Sequence, residues 1–238
     1  MEKLKKGSSV PLYKQLFEVI EQQISDGELK EGQQLMTEAE LSAEYGVSRI
    51  TVRKALELLV EDGILVKRQG VGAFVAERKM HRRVEGIMGF TQNCAAEGKK
   101  AGAVLLAAEL AEPTVKDIEN LQIKSNEKVI RIVRLRLSDD VPVILEEVRF
   151  SQKYAFLMGQ DLTTSIYQML ADQGISLGHS TMEIEICYAS EEESRLLEVK
   201  EREALLVTKS MVYSQQGEPV HYCKNTINLS RYKMTVII

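Results

Sequence analysis

The sequence predicts two domains: an N-terminal bundle of three helices closed by a β-hairpin, and a C-terminal α+β domain with a mainly antiparallel sheet. Three observations carry this. The chain has 238 residues, more than one small domain uses at ~100–200 residues per domain. Its texture changes near residue 77, from short helix-patterned segments punctuated by glycines to long β-branched runs such as KVIRIVRLRL and TMEIEICYA. The charged run ERKMHRR separates the two textures. The expected division is therefore 1–76, a linker over 77–83, and 84–238. At 44% hydrophobic and 28% charged residues, the chain can build a core without disulfides or metals as staples. Three widely spaced cysteines, Cys94, Cys187 and Cys223, argue against a disulfide framework. The opening MEKLKKGSSVPLYKQ has lysines but no apolar stretch behind them, and no run of ~18 apolar residues follows anywhere. Neither a signal peptide nor a membrane span is expected, and the predicted location is cytoplasmic.

In the first domain, Pro11 suits a helix start, where its missing N–H costs nothing. Leu12, Leu16, Ile20 and Ile24 recur on one helical face, and Gly27 ends the run. Thr37 and Glu40 have capping-box spacing, predicting a second helix over Glu38–Tyr45 with Gly46 at the turn. Ser48 is a good N-cap for a third helix, whose stripe Val52, Ala55, Leu56, Leu59 and Val60 faces inward. After Gly63, the segments Ile64–Arg68 and Ala73–Ala76 read as two strands joined by Gln69-Gly70-Val71-Gly72.

The formal net charge of −4 does not suggest a nucleic-acid ligand, but it is unevenly spread. Residues 1–83 carry a net +1 and the remainder −5. Within residues 64–83, Lys67, Arg68, Arg78, Lys79, Arg82 and Arg83 face only Glu77. A basic cluster attracts phosphate whatever the total, though many solvated loops are equally basic. The third helix is more specific. Its stripe fixes the inward side, so Arg49 and Arg53, four residues apart, share an exposed face with the Thr51 hydroxyl nearby. Arginine suits that place because its fork can pair with guanine O6 and N7 or grip phosphate. Two helices joined by a glycine turn and followed by a basic hairpin make a winged helix-turn-helix.

The stretch TEAELSAEYGVSRITVRKALELLVEDGILVKRQGVGAFVA, with PLYKQL before it, resembles the DNA-binding domain of GntR-type bacterial regulators. The resemblance implies that Arg49, Thr51 and Arg53 touch double-stranded operator DNA, with Gln69 and Gly70 at the wing tip. Thr37 and Ser48, at the two helix starts, complete the expected DNA-facing set. Met36-Thr37-Glu38-Ala39 stands where the family usually has Pro-Ser-Glu-Arg. Ala39 thus replaces an arginine that typically contacts the operator, a change worth ~1–3 kcal/mol at a base contact.

In the second domain, strands are expected near 103–110, 127–138, 143–151, 181–189, 204–214 and 219–228, and helices near 91–97, 114–121, 164–173 and 191–198. Turn segments such as Asp139-Asp140-Val141-Pro142 and Gln215-Gln216-Gly217-Glu218 join neighbouring strands and predict antiparallel pairing. With a period of two, Ile130, Ile132, Arg134 and Arg136 share one face of a strand. On the next strand Glu146 shares a face with Ile144, Val148 and Phe150. Half-buried cations need an anion. Either arginine can pair with Glu146, leaving the other for a ligand, and a purely structural Arg–Glu pair explains the pattern nearly as well.

The pattern RLRLSDDVPVILEEVRF, with Gly89-Phe90-Thr91 before it and Ser165-Ile166-Tyr167 after it, resembles the UTRA effector-binding domain of HutC-type GntR regulators. These domains are similar in fold to chorismate lyase and act as sensors, often of phosphosugars. The resemblance implies an effector site of Gly89, Phe90, Thr91, Arg134, Arg136, Glu146, Ser165, Tyr167 and His221. Thr91, Arg134, Arg136, Ser165 and Tyr167 would hold the anionic group, and Glu146 would accept a hydroxyl. His221 stands where the family commonly has an acid, and Ile227 where it has an aromatic residue, which reshapes the far end of the pocket. A ligand-responsive repressor acting as a homodimer is expected, with a small anionic effector, a phosphorylated sugar first and a carboxylic acid second. The rival is an enzyme using Cys94, Cys187, Cys223, His179, His221 or Glu146; His221 and Cys223 share a strand face, but no third group orients them. No metal-binding spacing occurs, and no cofactor is expected.

Overall fold

A computed structural model describes residues 4–5, 7–68, 70–76, 79–84 and 86–236. The chain divides into two compact units, Met1–Arg78 and Lys79–Ile238.

The first unit follows from local signals. Helix α1 (Leu12–Ser25) starts after Pro11 and buries Leu16 and Ile20. At α2 (Glu38–Tyr45) the Thr37 hydroxyl accepts from the Glu40 backbone N–H while the Glu40 carboxylate accepts from Thr37 N–H, the reciprocal box that satisfies two free helix donors. Gly46 ends α2 in the left-handed region at φ 60°, where a Cβ would be strained. Two residues later Ser48 caps α3 (Arg49–Glu61) by accepting from Thr51 N–H. The stripe Val52, Ala55, Leu56 and Leu59 is buried against Leu16, Ile20 and Leu41. The hairpin β1 (Leu65–Arg68) and β2 (Gly72–Val75) is antiparallel, with Leu65 and Val75 closing the same core.

In the second unit β3 (Met80–Val84) comes first, then α4 (Phe90–Ala96), β4 (Ala101–Ala111), α5 (Val115–Leu121), β5 (Val129–Ser138) and β6 (Val141–Ser151). A 3-10 segment (Gln152–Gly159), α6 (Ile166–Asp172), β7 (Leu177–Tyr188), α7 (Glu191–Leu197), β8 (Ala204–Ser214), β9 (Pro219–Asn228) and β10 (Tyr232–Val236) complete it. Six strands form one antiparallel sheet in the order β4-β5-β6-β9-β8-β7. One face carries Ile130, Ile132, Val148 and Phe150, covered by the 3-10 segment and α6 through Leu157, Ile166 and Leu170. On the other face, α7 places Leu197 with Leu135 and Leu205, and α5 places Leu121 with Val129 and Met211.

The expected linker needs correction. Residues 80–83 belong to β3, which pairs in parallel with β10 at the far end of the chain; residues 77 and 78 lie outside the described residues. Such pairing leaves no local signature, and MHRRV does not read as a strand by composition.

Candidate functional site

In the first unit, α3 turns its hydrocarbon side into the core and leaves Arg49 and Arg53 on the exposed side. Arg53 is engaged there: its Nη2 donates to Glu38 at 3.0 Å and its Nε at 3.4 Å. That hydrogen bond, with the charge of Arg53 behind it, holds the Glu38 carboxyl below the usual range. The pair is exposed and therefore weak, so it restrains Arg53 without consuming it. Ile50, 79% exposed beside Arg49, presents an apolar side chain to solvent; no polarity-based search flags it. Thr37 and Ser48 spend their hydroxyls as caps, and Ser48 Oγ also lies 2.8 Å from the Thr51 hydroxyl. Gly70 lies exposed at the hairpin turn, while Gln69 lies outside the described residues.

In the second unit a cleft of about 760 Å3, its open mouth included, sits on the β5–β6–β9–β8 face. All nine expected effector residues line it. Strand register explains the convergence: Arg134 lies opposite Glu146, which lies opposite Asn225, and Phe150 lies opposite His221. From the cover come Gly89, Phe90 and Thr91 at the start of α4, and Ser165 and Tyr167 at the start of α6. Gly89 lets the backbone approach Tyr167 closely: a Cβ there would lie 3.1 Å from the ring, which would have to give by a few tenths of an ångström.

The choice between the two arginines, open in the sequence, is settled by register. Arg134 pairs with Glu146, donating from Nε at 2.6 Å, and its Nη1 donates to the carbonyls of Leu162 and Thr164 at 2.9 and 3.0 Å. It is a structural tie between sheet and loop. Arg136 is 2% exposed, stacks over Phe90 at 4.7 Å and donates from Nη2 to Thr91 Oγ1 at 3.1 Å. Its Nε and Nη1 have no partner. Burial, with Arg134 nearby, lowers its pKa to about 10, so it stays cationic at neutral pH. An unpaired buried cation is costly unless an anion arrives.

At the other end, His221 is buried with both ring nitrogens unpartnered, between Phe150 at 5.1 Å and Tyr167 at 5.7 Å. Burial lowers its pKa to about 4, so it is a neutral imidazole. Asn93 also presents an unpartnered Nδ2. Ser165 is spent as the α6 cap. The sequence reading missed Arg82, Asn93, Ser210, Asn225 and Tyr232, which also line the cleft. The residues on β8 and β9 were recoverable from the period-two rule, as Asn225 shares a face with His221 and Cys223.

Thiol chemistry is disfavoured here. Burial pushes the Cys223 thiol up while it pushes the His221 imidazole down. A nucleophilic cysteine needs the reverse. Among the described residues no cluster of three His, Cys, Asp or Glu side chains fits a metal ion.

Comparison with known proteins agrees with this division. Residues 12–75 match the family of bacterial regulatory proteins of the gntR type, and residues 96–233 match the UTRA domain. The chain is 29% identical to the HTH-type transcriptional repressor NagR of Bacillus subtilis, covering 96% of this chain and 95% of that one. It is 32% identical to the mannosyl-D-glycerate transport/metabolism system repressor MngR of Escherichia coli, covering 95% of both. Among solved structures, PhnF of Mycobacterium smegmatis shares the fold with a TM-score of 0.73 at 23% identity, over 95% of this chain and 98% of that one. The chain belongs to the GntR family of bacterial transcriptional regulators, with a UTRA domain as its second part, and is a regulator rather than an enzyme.

Proposed function

We propose that this protein is a cytoplasmic, homodimeric repressor that binds operator DNA through α3 and the β1–β2 wing and responds to a phosphorylated sugar in the UTRA cleft. In this reading Arg49, Thr51 and Arg53 enter the major groove, Thr37, Ser48, Gln69 and Gly70 lie against the backbone, and two heads read two half-sites. The dimer reading is supported by apolar side chains left exposed on the β7 edge strand, Ile184, Ile186 and Tyr188 at 49%, 67% and 73%. The observation that carries the effector reading is Arg136, whose buried Nε and Nη1 point to no protein acceptor. Glu146 is neutralised by Arg134, so the cleft keeps an uncompensated positive charge that suits a phosphoryl group. Neutral groups at the other end, His221 and Asn225, suit hydroxyls. The name of MngR ties that relative to a sugar-derived compound.

The experiment is a thermal-shift screen of the full chain with hexose phosphates and small carboxylic acids, followed by operator binding with each stabilising compound. A phosphorylated sugar is expected to raise Tm, change operator affinity and be recovered unchanged. Arg136→Gln is expected to weaken its binding ~10–100-fold, the loss of charged hydrogen bonds worth ~1.5–3 kcal/mol. Stabilisation only by carboxylic acids would replace the sugar phosphate, and stabilisation by no anion would overturn the effector reading.

A further inference from the structure

Arg82 is one of the cleft residues, with Asn93 and Tyr232, that no local pattern announced. On β3, Arg82 lies opposite Met234 of β10. Side chains alternate along a strand, so Arg82 shares a face with Met80. Met80 is 1% exposed and packs with Cys94, Ile144, Ile227 and Tyr232. His81, on the opposite face, pairs instead with Thr235 at 2.8 Å. The Arg82 guanidinium is thereby directed into the cleft wall beside Tyr232, where its Nε is buried without a hydrogen-bond partner. The carboxylate of the cleft, Glu146, is already taken by Arg134. Arg82 thus resembles Arg136 in one respect: although its guanidinium already hydrogen-bonds the Tyr232 hydroxyl, its Nε–H in the cleft wall has no acceptor until a ligand supplies one.

Its place in the chain differs from that of Arg136. Arg136 sits inside the six-stranded sheet, on β5 between β4 and β6. Arg82 sits on the first strand of the second unit, in a two-stranded sheet of its own, and only residues 77–79 separate β3 from Ala76 after the wing. A ligand shifts a conformational equilibrium only by binding the two states unequally. A residue with an N–H whose acceptor arrives with the ligand, on a strand that begins four positions after Ala76 in the chain, meets that requirement. We propose that Arg82 is a direct effector contact and the residue that couples cleft occupancy to operator binding through β3. This rests on the effector reading above.

The test uses the full chain, a panel of hexose 6-phosphates as probes, and operator DNA. With the wild type, the best probe is expected to change operator affinity at least tenfold. Arg82→Gln is expected to bind that probe within about tenfold of wild type yet change operator affinity less than twofold at saturation. By reciprocity its probe affinity becomes the same with and without operator, a readout that a merely structural arginine would not move. In the unmutated protein, amide hydrogen exchange at residues 80–84 is expected to slow when the probe binds, which keeps the test valid if the variant fails to fold. A wild-type-sized operator response in Arg82→Gln, or unchanged exchange over 80–84 in the wild type, overturns the coupling role while leaving the effector reading intact. A wild type that answers no probe overturns the effector reading, and this proposal with it.

Discussion

Two arginines two residues apart on one strand face have opposite relations to stability. Arg134 is a completed buried ion pair with two further carbonyl acceptors. Removing it strands the Glu146 charge, so Arg134→Met is expected to destabilise the second unit by ~3–5 kcal/mol. Arg136 is a buried cation with two unpartnered N–H groups, and Arg136→Met removes that charge, so unliganded stability is expected to stay level or rise while anion binding is lost. Urea denaturation of the two variants separates these outcomes, and equal destabilisation would contradict the assignment. His221 adds a pH dependence. Its folded pKa of about 4 lies below the ordinary value of 6.5, so the unfolded chain binds the extra proton first. Its contribution is fully present above pH 6.5 and lost as pH falls toward 4, ~3 kcal/mol over that window. His221→Phe keeps an aromatic ring between Phe150 and Tyr167 and is expected to flatten that acid slope. At this scale the sequence shows which residues share a face, because alternation is a local rule. Which arginine meets Glu146 depends on inter-strand register, a property of two segments at once, and so it waited for the structure.

At the scale of elements, legibility follows the range of the interaction. Helix α2 runs Glu38–Tyr45 as its capping box and Gly46 predict, because caps act within four residues. All six strands of the main sheet were expected near their observed positions, although β4, AGAVLLAAELA, holds a single β-branched residue. The β3–β10 pair was not: Met80 and Tyr232 meet across nearly the whole second unit, and the charged residues of β3 read as linker. On α3 the exposed cations make a direct prediction. Arg49→Ala or Arg53→Ala is expected to weaken operator binding ~10–100-fold, the ~1–3 kcal/mol of a bidentate base contact, while leaving the effector-induced thermal shift unchanged. Arg53 must first release Glu38, but that pair is 57% and 30% exposed at its two side chains and is readily exchanged for a DNA acceptor. Normal operator binding by both variants would remove α3 from the groove.

At the scale of the whole molecule the net charge is −4, so the protein as a body is repelled by DNA. Screening limits that repulsion to ~8 Å at physiological salt, and binding must rest on cations that reach the phosphates closely. Affinity is therefore expected to fall steeply with salt, the log–log slope counting phosphates neutralised at ~0.9 per contact. The slope also distinguishes what each arginine touches. If Arg49 grips a phosphate, Arg49→Ala lowers the slope by about one and weakens operator and unrelated DNA alike. If it reads a base edge, the variant keeps the wild-type slope and loses affinity only for the operator. The position of Arg49 in the first turn of α3, beside the exposed Ile50, favours the second outcome, because an apolar neighbour suits a base edge and its thymine methyl better than it suits a phosphate. Titration of operator and scrambled duplexes across a salt series decides it, and a flat slope for the wild type would contradict phosphate binding altogether.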